Sequence, residues 1–119
     1  MYDITNIARR YFSVKLTAED EDGKEHTTVV EVGPPRLKML REMMDIAVKA
    51  TKEAESGETK TVENVIAELR DIIRKMLNKN KSGYKVPNEY VEAMDFDEMI
   101  GLLNAFFDWM NQTKQNDPN

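Results

Sequence analysis

Seven apolar residues in the middle of the chain recur every three or four positions, which is the spacing that places side chains on one face of an α-helix. They are Val62, Val65, Ile66, Leu69, Ile72, Ile73 and Met76. Thr61 supplies an N-cap side chain ahead of them, and the lysines that follow suit the negative end of the helix dipole. The pattern predicts a helix over about 61–79 with one buried face, so the rest of the chain must cover that face.

A shorter periodicity precedes this helix. Phe12, Val14 and Leu16 alternate with residues that point the other way, and residues 27–32 are mostly β-branched, so both segments are typical of strands. The turn dipeptide Asp22-Gly23 lies between them, and the connection is too short for a crossover. The sequence therefore predicts a β-hairpin over about 11–32. Two strands alone are marginally stable in water, so we expect the hairpin to pack on the helices or on another chain.

A helix is expected directly after the hairpin, because Gly33-Pro34-Pro35 ends the second strand and proline is tolerated in a first helical turn. The predicted helix covers about 35–54. Its expected core face consists of Leu37, Leu40, Met44, Ala47 and Val48.

Two more helices are predicted near the end of the chain. Pro87 opens a short one over about 87–93, and Asp95 with Glu98 forms a capping-box pattern for the last, over about 95–112. A polar tail follows over 113–119. The expected fold class is α+β and mainly α, with an N-terminal β-hairpin, three main helices and one short helix in a single domain over 1–119.

Composition narrows the classes of function. The chain has 119 residues, no cysteine, one histidine and a net charge of −5, so disulfides and thiolate metal sites are excluded, and no metal site or cofactor is expected. No phosphate-binding glycine motif is present, and the acidic turn over 19–25 lacks the ligand spacing of an EF-hand. We therefore expect no catalytic residues and a protein that is not an enzyme.

Charge and hydropathy also bear on partners and location. The acidic balance argues against nucleic acid as a partner, since such binding depends on phosphate neutralisation. No apolar run approaches the ~20 residues of a membrane-spanning helix, and no basic-then-apolar leader opens the sequence, so a cytosolic protein is expected. The basic segment 70–85 is interpreted as a solvated helix face that complements the acidic segment 86–113, within the chain or between copies.

The first and last helices carry more apolar residues than one small core requires. Two interpretations follow: these helices are buried on both sides, or their outer flanks form an interface with a partner. Methionine and aromatic side chains suit the second interpretation, because they bury much area and adapt to varied partners. The candidate partner-binding residues are Met39, Met43, Leu102, Phe106 and Trp109.

Several segments together resemble the tail assembly chaperones of long-tailed phages and prophages of Gram-positive bacteria. The resemblance covers most of the chain. It is carried by Tyr-Phe-Ser-Val at 11–14, Val-Glu-Val-Gly-Pro-Pro-Arg-Leu-Lys-Met-Leu at 30–40, Asp-Phe-Asp-Glu-Met at 95–99, Phe-Phe-Asp-Trp at 106–109 and the terminal Asn-Asp-Pro-Asn.

The resemblance implies a non-enzymatic protein of the host cytoplasm that binds the tape measure protein, keeps it soluble and recruits major tail protein as the tube grows. It implies no catalytic residues. A longer form made by ribosomal frameshifting is frequent in this family. The alternative from the sequence is a small homo-oligomeric regulatory or adaptor protein of a phage or bacterium. Under either hypothesis we expect a homo-oligomer.

Overall fold

The computed structural model describes residues 10–56 and 59–115. Its elements are β1 (Phe12–Glu19), β2 (Glu25–Val32), α1 (Leu37–Ser56), α2 (Thr59–Asn78), α3 (Asn88–Glu92) and α4 (Phe96–Gln115). The predicted fold class, an N-terminal hairpin followed by three main helices and a short one, is confirmed. The predicted tail was wrong in part, because residues 113–115 continue α4, whereas 116–119 lie outside the described residues.

The hairpin is antiparallel, with Phe12 opposite Val32 at its open end and Glu19 opposite Glu25 at the turn. The Asp20 side chain organises that turn: its Oδ1 accepts hydrogen bonds from the backbone N–H groups of Asp22 at 2.9 Å and Lys24 at 2.8 Å. Gly23 has a φ of 77°, which glycine adopts without steric cost. One face of the sheet is buried, through Val14, Leu16, Ala18, Val30 and Val32.

Helices α1 and α2 form an antiparallel pair. Lys49 in α1 donates to Glu68 in α2 at 3.0 Å, and Lys79 at the end of α2 donates to the carbonyl of Pro34, just before α1, at 2.6 Å. Most of the predicted face of α2 is confirmed by complete or nearly complete burial, at Val65, Leu69, Ile72, Ile73 and Met76. Val62 and Ile66 are half-buried, and Leu77, which was not predicted, is completely buried. The helix begins two residues before its predicted start, and the side chain of Thr61 lies outside the described residues.

The end of α2 holds the hairpin in place through backbone hydrogen bonds. Gly33 donates its N–H to the carbonyl of Lys79 at 2.9 Å, and Lys81 donates to the carbonyl of Glu31 at 2.8 Å. Asn80 stabilises the turn that follows, because its side-chain amide donates to the carbonyls of Leu77 and Tyr84. The hairpin is therefore attached to the helical part by more than apolar packing.

Helix α4 begins as predicted. The Glu98 N–H donates to Asp95 Oδ1 at 2.7 Å, and the Asp95 N–H donates to Glu98 Oε1 at 2.9 Å, which is a complete capping box. The buried side of α4 carries Met99, Leu103 and Phe106. Helix α4 lies against the hairpin residue Phe12 on one flank and against α1 and α2 on another. This central position accounts for its wide apolar arc.

The molecule is flattened, with principal extents of 54 × 37 × 20 Å. Its radius of gyration is 16.0 Å, compared with about 13 Å for a compact domain with this number of described residues. Helix α1 lies at an edge of the molecule, because it packs mainly on α2 and makes fewer contacts with α4. A 20-residue helix of about 30 Å with one main neighbour keeps much of its surface open to solvent.

Candidate interaction surface

The buried face of α1 is largely not the predicted one, although Leu40 and Ala47 of the predicted face are half-buried. Leu37, Met44 and Val48 are 62%, 51% and 57% exposed, whereas Met43 and Ala50 are completely buried. Met39, Ile46 and Ala47 are partly buried and pack against the hydrophobic core. The prediction was wrong because α1 carries two apolar arcs at helical spacing, and periodicity alone does not say which one faces α2. The observed rotation also brings Lys49 Nζ within 3.0 Å of Glu68 Oε1 and places the small Ala50 side chain in the core.

The exposed arc forms what we call the outer stripe, consisting of Leu37, Leu40, Met44 and Val48. These residues follow one another at i, i+3, i+7 and i+11, so they lie in one row along the helix. Leu40 is half-buried and the other three are mostly exposed. The row covers three turns, or about 16 Å of helix. Scattered exposed apolar residues are common on proteins, but a continuous row of this length is typical of an interaction surface.

Cations surround the N-terminal end of the outer stripe. Arg36, Lys38 and Arg41 are exposed beside Leu37, and none makes an ion pair or side-chain hydrogen bond within the part of the chain that the structure describes. The same helix end borders an open depression of about 330 Å³ between α1 and α2. Its lining consists of Arg36, Lys38, Met39, Glu42, Lys75 and Lys79.

The predicted partner residues of α4 belong largely to the core. Phe12, Phe106 and Trp109 form a ring cluster with centroid separations of 5.4 Å, 5.8 Å and 5.5 Å. Phe106 is completely buried and Trp109 is half-buried. The expectation that Trp109 lies outside the packed arc was wrong, because the N-terminal strand brings Phe12 against it. This flank of α4 agrees instead with the other interpretation given for this helix, in which it is buried on both sides.

The remaining predicted partner residues are not brought together. Met43 is completely buried, so its expected place on an outer flank was wrong, and neither Met43 nor Phe106 is open to a partner in the folded chain. Met39 lines the depression between α1 and α2, and Leu102 lines a separate groove of about 340 Å³ between the hairpin, α3 and α4. The outer stripe was not identified from the sequence as a candidate surface, although the unusually wide apolar arc of α1 already indicated that this helix could bind a partner.

Within the chain, three cations of the basic segment pair with carboxylates outside the acidic segment 86–113, and pairing between copies stays a prediction. Arg74 and Lys75 lie 3.5 Å and 3.4 Å from Asp71, and Lys81 lies 3.9 Å from Glu31. All five side chains are at least one-third exposed, so each pair contributes little to stability.

The acidic turn of the hairpin is a structural feature. His26 Nε2 lies 2.8 Å from Asp20 Oδ2, and the pKa of Asp20 is lowered, first by the hydrogen bond from the Lys24 backbone and then by the His26 side chain. In the described ranges 10–56 and 59–115, no group of three or more His, Cys, Asp or Glu residues is arranged to hold a metal ion.

The described helices include none that combines the length and the apolar character needed to span a membrane. Comparison of the chain with models of protein families, with curated protein sequences and with solved structures finds no match in any of the three.

Proposed function

We propose that this chain is a phage tail assembly chaperone that binds a helical client, the tape measure protein, through the outer stripe of α1. The resemblance in sequence supports the class of function, and the exposed row formed by Leu37, Met44 and Val48 supports the mode of binding. The proposed protein acts in the cytoplasm of the bacterial host without catalysis. It also recruits major tail protein while the tail tube grows.

The outer stripe suits recognition by helix-to-helix packing, in which apolar anchors at helical spacing on two helices pack against one another. Leucine, methionine and valine side chains each contribute about 1.5–3 kcal/mol when they pass from full exposure to burial. A row of three turns is small for a permanent interface, which suits a client that must later be released. A long helical client offers many such sites, so several copies would bind along it.

The experiment is co-expression of the tagged chain with fragments of the tape measure protein from the same genome, followed by pull-down. The double substitution Leu37→Ser and Val48→Ser removes both ends of the outer stripe without touching a buried residue. Val29→Ser is the matched control, because Val29 is 61% exposed but lies on the hairpin. We expect the double variant to lose capture and the control to retain it. Capture that survives the double substitution but is lost in Val29→Ser would move the surface to the hairpin.

The alternative, a homo-oligomeric adaptor, uses the same stripe differently. It predicts that two copies associate through α1 without any client. Sedimentation of the chain alone at micromolar concentration separates the two hypotheses, because the adaptor would dissociate in the Leu37→Ser and Val48→Ser variant. A chaperone whose copies associate through another surface would keep its oligomeric state in that variant.

A further inference from the structure

The charges on α1 run against its helix dipole. The first turn contains no acidic residue and the last turn no basic one, although anions favour the N-terminus of a helix and cations its C-terminus. Arg36, Lys38 and Arg41 instead lie at the positive end of the dipole. Helix α4 shows the usual arrangement, with Asp97 and Glu98 in its first turn.

This arrangement does not stabilise the folded chain on its own. The three cations are exposed and make no ion pair among the described residues, and each is repelled by the partial positive charge of the helix end. Lys75 and Lys79 border the same end from α2 and add to the positive charge there. The acidic residues one turn further along, Glu42 and Asp45, form no ion pair with these cations among the described residues, so positive charge still predominates at this end. An arrangement of charges that breaks a local rule is expected at functional sites.

We propose that the outer stripe takes an amphipathic helix whose apolar face is flanked by acidic residues. This inference rests on the proposed function and specifies the chemistry of the client segment. The apolar anchors pack on Leu37, Met44 and Val48, and carboxylates beside the first anchor meet Lys38 and Arg41. The bound segment thereby supplies the negative charge that the N-terminal end of α1 lacks.

Three other occupants match the surface less well. Nucleic acid would use the cations but gains nothing from a row of four apolar side chains. An anionic membrane would face more than one helix, and a chain with a net charge of −5 is repelled by it. A second copy of α1 would bring its own cations towards this end in a parallel arrangement. In an antiparallel one, the register that pairs Leu37 with Val48 also places Arg36 opposite Lys49.

The test compares two synthetic helical peptides with leucines at i, i+3, i+7 and i+11, one with glutamates and one with lysines beside the leucines. Fluorescence anisotropy with the full chain measures both affinities at low and at high salt. We expect the acidic peptide to bind about tenfold more tightly at low salt, and the preference to shrink at high salt because rim charges are screened.

The double substitution Lys38→Glu and Arg41→Glu should abolish or reverse the preference. Lys15→Glu with Lys85→Glu is the matched control, because it makes the same change in net charge at exposed positions away from α1. The inference is overturned if the Lys38→Glu and Arg41→Glu variant still prefers the acidic peptide. It is also overturned if the control variant loses that preference to the same extent.

Failure of this inference is distinguishable from failure of the proposed function. If both peptides bind equally and both are lost in the Leu37→Ser and Val48→Ser variant, the stripe binds helices without regard to charge, and only the inference falls. If neither peptide nor any tape measure fragment binds, both proposals fall.

Binding to phosphatidylserine vesicles that requires Lys38 and Arg41, with no preference between peptides, would identify a lipid surface and also overturn the inference. If the wild-type chain is a dimer and the substitutions at Lys38 and Arg41 dissociate it, the occupant of the stripe is a second copy of the chain. That result would also overturn the inference.

Discussion

Replacement of Trp109 by alanine is the substitution that best separates a core role from a partner-binding role. Trp109 lies 5.8 Å from Phe12 and 5.5 Å from Phe106, measured between ring centroids. These contacts join α4 to the first strand of the hairpin. If they hold the fold together, Trp109→Ala should destabilise the chain whether or not a client is present.

The size of the effect follows from area. A fully buried tryptophan removes up to about 250 Å² from water, and Trp109, which is mostly but not completely buried, removes about 150–200 Å². At about 25 cal/mol per Å², this corresponds to about 4–5 kcal/mol. The compactness of the denatured chain lowers the figure, and we expect a loss of about 3–4 kcal/mol in the free energy of unfolding. The pair with Phe12 should add a coupling of about 0.5–1.5 kcal/mol.

Urea unfolding followed by far-ultraviolet circular dichroism gives these quantities, since the single tryptophan cannot report on its own absence. The four proteins of a double-mutant cycle are wild type, Phe12→Ala, Trp109→Ala and the double variant. Tyr84→Ala is the control, because Tyr84 is an aromatic residue that is 40% exposed. A cost below about 0.5 kcal/mol for Trp109→Ala, which is usual for surface positions, would refute the core role. A coupling of zero would show that the two rings do not stabilise each other.

Two further predictions concern stability. Ile73 is completely buried in α2, so Ile73→Ala should lower the free energy of unfolding by about 2–5 kcal/mol in urea melts; a change below about 0.5 kcal/mol would contradict the assigned helix face. The pKa of Asp20 is lowered from its ordinary value of 3.8, so the stability that its ionised form supplies is present above that pH and is lost as the pH falls through the folded-state pKa. Asp20→Asn should remove this acid-dependent part, and a titration by nuclear magnetic resonance that places the Asp20 pKa at or above 3.8 would contradict it.

The parts of the fold that depend on local sequence were predictable. The capping box of Asp95 and Glu98 needs only residues three positions apart, and the structure contains both of its hydrogen bonds. The face of α2 was predictable because its apolar residues form a single arc, which leaves one way to bury them. The hairpin strands were found but extend further towards the turn than expected, because Asp20 and Gly23 confine the turn to a few residues.

The candidate surface depended on contacts between distant segments, and these were not predictable from spacing. Trp109 and Phe106 meet Phe12, which lies in the first strand almost one hundred positions earlier. In α1, Met43 and Met44 are adjacent in sequence, yet one is completely buried and the other is 51% exposed. A helix with two apolar arcs can bury either of them, and only its packing against the neighbouring helix determines which one is buried.

Under the proposed function, the two arcs of α1 divide stability and binding between different residues of one helix. The arc around Met43 and Ala50 holds α1 on α2, so polar substitutions there would damage the fold. The outer stripe contacts solvent, so polar substitutions at Leu37 and Val48 remove a surface without removing packing. If the apolar row served only to bury α1, polar residues at these positions would fold equally well. An exposed apolar row beside three cations that make no ion pair among the described residues therefore supports the proposal that a partner covers both.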